Sequence, residues 1–140
     1  MTLQGEVLLK GPAVAAEALV LTAPISFWGG VDPHTSAIAD ARHPEFAQKM
    51  SGRVLMIPAT VGSSSAAAIL LELVHANLAP AALILHEPDA ILLLGLIVAK
   101  EMGLPTPIAL RLDRQHFQDF QNQRVSITPD GVIDFSLSAA

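Results

Sequence analysis

Gly62 is followed by three serines, Ser63, Ser64 and Ser65, where an apolar run stops at Pro58 and an amphipathic pattern begins. Hydroxyls at such a junction have two uses. One is capping, in which a serine oxygen accepts a hydrogen bond from an orphan N–H of the first helical turn and Gly62 allows the sharp approach. The other is chemical: unpaired N–H groups and the positive end of a helix suit an anion such as a carboxylate or phosphate, and can stabilise an alkoxide or enolate. The spacing and lysine of a Walker loop are missing, as is the G-x-S-x-G nucleophile elbow. Generic motifs therefore give an anion site and no more. One of Ser63, Ser64 and Ser65 is expected to be the cap.

Other candidates are weaker. Asp32 follows Trp28, Gly29 and Gly30 and can contact an ammonium group or a water, or simply close an Asx-type turn before Pro33. Phe27 and Trp28 suit core anchoring or a subunit interface. His34, His43, His75, His86 and His116 show no metal-ligand spacing and read as surface or packed residues. Asp89 reads as a helix cap and Arg53 as a solvated charge.

The elements that must position these residues follow from periodicity and breakers. Short strands are expected at Gly5–Leu9 and Ala18–Thr22, then a turn-rich loop through Pro33. From Gly52 on, "RVLMIPA", "AALILHE" and "TPIALRL" read as buried strands. They alternate with helices in "SSAAAILLELVHANL" and in "AILLLGLIVAKEM", which Asp89 caps, Gly103 ends and Pro105 blocks. The second helix is so apolar that it is expected to be enclosed on most sides. A short helix over Asp113–Phe120 and a terminal hairpin, "RVSITPDGVIDFSL", complete the chain. Strand–helix–strand–helix–strand implies parallel pairing, with the remaining strands antiparallel. The fold class is α/β, with two β layers backed by helices in a single domain over residues 1–140.

Composition narrows the function classes. The eight Lys and Arg residues are scattered singly in a chain of net charge −5, which excludes a nucleic-acid surface. The chain has no cysteine, so it cannot by itself ligate an iron–sulfur cluster. Hydrophobic residues make up 51% and charged residues 15%, a surplus that points to apolar surface covered by a partner. The longest apolar run, Ala90–Ala99, falls short of the roughly 20 residues of a bilayer span, and no signal peptide is visible. The expectation is a cytoplasmic protein that does not enter a membrane.

Four separated segments, "SFWGGVDP", "GSSS" followed by "LLEL", "LAPAALILHEPDAILLLG" and "MGLPTPI", resemble the swivelling domain of the aconitase X family, in order and over nearly the whole chain. The resemblance implies a swivelling β/β/α fold and a hydro-lyase. By analogy with the aconitase serine loop, Ser63 is the general base, and Gly62, Ser64, Ser65 and Asp32 line the substrate site. This chain holds only the small domain behind a first methionine, so the resemblance implies a small subunit, active only with a large catalytic subunit. That subunit would carry an iron or iron–sulfur centre, a Lewis acid toward the leaving hydroxyl, and this chain would bind no cofactor alone. The reaction implied is loss of a Cα proton beside a carboxylate and of a β-hydroxyl as water. The family holds two activities, dehydration of cis-3-hydroxy-L-proline to Δ1-pyrroline-2-carboxylate and dehydration of mevalonate 5-phosphate. Members often have an arginine just before the loop glycine. Val61 stands there in this chain, which favours hydroxyproline, a small hydroxy acid without phosphate. The small subunit of mevalonate 5-phosphate dehydratase is the alternative substrate reading. A non-catalytic lid or anion-binding module of a larger complex is the alternative of another class.

Overall fold

The computed structural model describes residues 1–135. Its strands are β1 (Thr2–Gln4), β2 (Glu6–Leu9), β3 (Val14–Val20), β4 (Val54–Ile57), β5 (Ala82–Leu85), β6 (Ile108–Arg111), β7 (Arg124–Ile127) and β8 (Val132–Phe135). Its helical segments are an irregular turn, α1 (Phe27–Gly30), then α2 (Ala66–His75) and α3 (Ala90–Glu101), with a 3₁₀ turn over Arg114–Phe120. The terminal hairpin forms as expected, and its expected last residues, Ser136 and Leu137, lie outside the described residues.

The ladder runs β1-β8-β7-β3-β4-β5-β6-β2 and folds into two layers. Strand β3 belongs to both: Val14–Glu17 pair antiparallel with β7, and Ala18–Val20 pair parallel with β4. The two ends of the ladder, β1 and β2, are separated in the chain by Gly5 alone, so the sheet rolls back on itself. β3 through β6 are parallel, as the alternation of strands and helices requires, and β2 closes their edge antiparallel to β6.

The parallel strands read as unbroken apolar runs because both of their faces are buried. Leu55, Ile57, Leu83, Leu85 and Ala109 face α2 and α3, while Val54, Met56, Ile84, Ile108 and Leu110 face β7 and β8. The two cores are thus interleaved residue by residue along the same strands. The Phe120 and Phe135 rings meet within the β/β layer with centroids 4.2 Å apart and planes tilted by 42°.

Two expectations are corrected. α3 is not enclosed: Leu92, Leu93, Gly95, Leu96 and Ala99 are buried, but Ile91, Leu94, Ile97, Val98 and Met102 form an exposed apolar stripe. Among the described residues this helix packs against the sheet and α2, and two such contacts cannot enclose a cylinder. Arg53 is not a solvated charge. Its guanidinium donates to the Ala18 carbonyl at 2.9 Å and to Gln48 Oε1 at 3.0 Å, and its Nε is buried.

Helix α2 lies against α3 at one close point. A Cβ on Gly95 would come within 2.4 Å of the Ala67 carbonyl oxygen, so no larger residue fits there without moving the first turn of α2. That turn carries the serine loop.

Candidate functional site

Because β3, β4, β5 and β6 are parallel, the segments that follow them all emerge at one end of the sheet. The loop after β3 holds Ser26–Gly30, the loop after β4 holds Thr60–Ser65, and Asp89 follows β5. The first two are joined directly. Ile25 N–H donates to the Ala59 carbonyl at 3.2 Å and Val61 N–H donates to the Ile25 carbonyl at 2.9 Å. The Trp28 loop and the serine loop are therefore neighbours.

Within the serine loop the division of labour differs from the expected one. Ser65 occupies the N-cap position of α2, but its side chain makes no cap bond. Among the described residues the Ser64 hydroxyl has no partner either. It is Ser63 Oγ that accepts the Ser65 N–H, at 3.2 Å, while the Ser63 carbonyl accepts the Ala66 N–H at 3.1 Å. The reason is geometric. Ser65 is already in the right-handed helical region, φ −78° and ψ −11°, so its hydroxyl cannot fold back over the first turn as an extended residue would. Ser63 is thus both half-buried and supplied with one N–H donor at its oxygen. The N–H groups of Gly62, Ser63 and Ser64 have no acceptor among the described residues.

Gly62 does not need to be glycine for reasons internal to the chain. It is absent from the positive-φ glycines, and a Cβ built on it meets nothing within 4 Å. The sharp approach attributed to it is not the reason it is there.

Thr60 anchors the loop from below. Its hydroxyl donates to Asp89 Oδ2 at 2.7 Å, and Asp89 Oδ1 accepts the Ile91 and Leu92 N–H groups, each at 3.0 Å. The cap expected at Asp89 is present and also holds the serine loop to the start of α3.

Phe27 and Trp28, adjacent in sequence, separate. Phe27 is buried in the helical core and Trp28 is 58% exposed. Gly29, at φ 83°, makes the turn that splits them. Trp28 and Val61 rim a cavity of about 500 Å³ whose walls include Gly29, Gly30, Asp40 and Arg42. Ser63, Ser64, Ser65 and Asp32 are not among its lining residues. Asp32 Oδ1 accepts the His34 N–H at 2.8 Å, which makes the Asx turn.

The histidines do not assemble. Among the described residues no three His, Asp or Glu side chains gather as a metal site, and the chain has no cysteine. His43 is instead a buried wedge. Its Nδ1 accepts the Glu45 N–H at 3.0 Å, which leaves Nε2 to donate to the Ala23 carbonyl at 3.2 Å. No helix among the described residues is long and apolar enough to cross a membrane.

Sequence reasoning passed over Thr60, Asp40 and Arg42. No local signal marks them, because each gains its meaning from a segment distant in the chain.

Comparison with known proteins agrees with this geometry. The family profile of the aconitase X swivel domain matches residues 2–135. Cis-3-hydroxy-L-proline dehydratase of Pseudomonas aeruginosa is 46% identical over 102 residues, which are 72% of this chain but only 18% of that protein's length. The phosphomevalonate dehydratase small subunit of Methanopyrus kandleri is 38% identical over 85 residues, 61% of this chain and 63% of that one. The crystal structure of Thermococcus kodakaraensis aconitase X in its holo-form superposes with a TM-score of 0.83 at 26% identity, covering 97% of this chain and 98% of that one. The rolled two-layer sheet, the serine loop at its carboxyl end and these matches lead to one conclusion: the chain belongs to the aconitase X swivel-domain family.

Proposed function

We propose that this chain is the swivelling small subunit of a heteromeric hydro-lyase that dehydrates cis-3-hydroxy-L-proline, with Ser63 as general base. The observation that carries the reading is the environment of Ser63 Oγ. It sits just before the positive end of α2, accepts the Ser65 N–H, and belongs to a loop bonded to the Trp28 segment. A serine hydroxyl is protonated at neutral pH, so it acts as a base only where its alkoxide is stabilised. The Ser65 N–H and the helix end both favour that form.

In this mechanism Ser63 takes the Cα proton next to the carboxylate. The electron pair left on Cα forms the double bond as the β C–O bond breaks, and the proton taken up by Ser63 passes to the departing hydroxide, which leaves as water and restores the base. The free N–H groups of Gly62, Ser63 and Ser64 face the negative charge that develops, and the Ser64 and Ser65 hydroxyls line the same site. Asp32 has one carboxylate oxygen outside its turn for a contact with substrate. Trp28 and Val61 form an apolar rim that a large subunit covers, excluding water. An iron or iron–sulfur centre, expected to ease departure of the hydroxyl, belongs to that subunit.

Hydroxyproline is favoured over mevalonate 5-phosphate by the 46% identity to the Pseudomonas dehydratase, against 38% to the Methanopyrus small subunit. The exposed apolar side chain of Val61 at the rim is also a poor phosphate ligand. The archaeal small subunits in turn support a separate small chain, since this chain covers 75% of the Pyrococcus furiosus protein.

The test is reconstitution with the large subunit and assay of both substrates. Turnover of hydroxyproline that disappears in Ser63→Ala, with the complex intact, supports the reading. Near wild-type turnover by Ser63→Ala makes the chain a non-catalytic lid.

A further inference from the structure

The cavity rimmed by Trp28 and Val61 carries two charges of opposite sign. Arg42 and Asp40 both line it, with Arg42 Nε 3.7 Å from Asp40 Oδ1. Arg42 is the arginine among the lining residues, and its planar guanidinium matches a carboxylate. Its side chain is 95% exposed and makes no hydrogen bond to the described residues, so its donors are free for a ligand. The Asp40 side chain is 43% exposed, and its Oδ1 also accepts the Arg42 N–H at 2.9 Å.

The segment bearing these charges is held in place. Ala39 N–H donates to the Gly30 carbonyl at 2.9 Å, which sets Asp40 beside the Trp28 turn. The buried His43 ring bonds both Ala23 and Glu45, and Glu45 accepts from Thr22 N–H at 2.7 Å and from its hydroxyl at 2.9 Å.

We infer that Asp40 and Arg42 are a recognition pair for the zwitterionic head of an α-amino acid, Arg42 taking the carboxylate and Asp40 the ammonium. This rests on the dehydratase reading of the Ser63 loop and deepens it. In an α-amino acid the carboxylate, the ammonium and the proton to be removed share one carbon. Holding the first two fixes the direction of the third. The pair also sets specificity. A phosphorylated carboxylate without an ammonium gains from Arg42 but is repelled by Asp40, whereas a zwitterion satisfies both.

The experiment uses the complex with its large subunit and three variants, Asp40→Asn, Arg42→Gln and Arg42→Lys. Steady-state kinetics are measured on cis-3-hydroxy-L-proline and on its analogue with ring oxygen in place of nitrogen. Binding of L-proline is followed by calorimetry. Asp40→Asn is expected to raise KM for the amino acid about tenfold and leave KM for the oxygen analogue unchanged. Arg42→Gln is expected to raise both, with partial recovery in Arg42→Lys. Unchanged KM values in Asp40→Asn and Arg42→Gln, beside an active wild type, overturn the pair and leave the dehydratase reading standing. A wild type that binds L-proline through these two residues but turns over neither compound upholds the pair and sinks the substrate assignment. A wild-type complex that does not bind L-proline overturns the pair.

Discussion

The Thr60 hydroxyl and the Asp89 carboxylate, 29 positions apart in the chain, meet at 2.7 Å where β4 and β5 end. Asp89 thereby accepts three hydrogen bonds, two from the first turn of α3 and one from the loop that leads to Ser63. Asp89→Ala is expected to destabilise the chain by about 2 kcal/mol, the upper range for loss of a helix cap. Thr60→Val keeps the shape and the cap, and is expected to lose only about 1 kcal/mol. Its effect should fall on kcat, by about tenfold, as the serine loop loosens. Denaturant unfolding together with kinetics on the reconstituted complex checks both. Equal kcat in Thr60→Val and wild type would show that the bond is structural only.

The three serines are expected to differ sharply. Ser63→Ala should lower kcat by about a thousandfold while the large subunit still binds, the scale of a lost general base. Ser65→Ala should change stability by less than about 0.5 kcal/mol, because its side chain makes no cap bond. Melting curves and turnover measured side by side separate the two.

Two glycines on either side of α2 give opposite outcomes. Gly95→Ala drives a Cβ into the Ala67 carbonyl and is expected to destabilise by about 1–3 kcal/mol, the cost of overpacking. Gly62→Ala meets open space and an ordinary backbone, and its melting temperature should match the wild type. If the space above Gly62 is filled by substrate or by the large subunit, activity or assembly falls while stability does not. A drop in melting temperature without loss of activity would contradict this.

Asp113 caps the 3₁₀ turn, and the Gln115 N–H holds its carboxyl below the usual carboxylate range. Burial opposes this slightly, and His86, Arg111 and His116 add smaller pulls downward. A carboxyl whose value is lower folded than unfolded stabilises the fold above its unfolded value. That contribution is lost as pH falls through the folded one. Asp113→Asn is therefore expected to lower the neutral plateau slightly and flatten the acid limb of the stability profile. Chemical denaturation from pH 7 to pH 3 measures it, and an acid limb identical to wild type would rule the contribution out.

Sequence by itself determined the parts of this protein that local chemistry controls. Apolar runs of strand length marked β4, β5 and β6, Asp89 and Asp113 marked helix starts, and Gly103 with Pro105 marked the end of α3. Parallel pairing followed from the alternation of strands and helices, and four short segments carried the family resemblance. β1 and the early start of β3 at Val14 were not legible. Their residues are only partly buried, and their pairing partners lie at the other end of the chain.

Tertiary structure decided what a run of similar residues cannot. Ser63, Ser64 and Ser65 have the same side chain, and only the backbone angle at Ser65 assigns the N–H to Ser63. Phe27 and Trp28 are both large aromatics, and the turn at Gly29 sends one inward and one out. The outer stripe of α3 is as apolar as its buried side, so composition predicted enclosure where the packing leaves one face open. Thr60, Asp40 and Arg42 have no distinguishing neighbours in sequence. Thr60 meets Asp89, and Asp40 and Arg42 share a cavity with Trp28 and Val61, because parallel strands deliver their carboxyl ends to one edge, where residues far apart in the chain become neighbours.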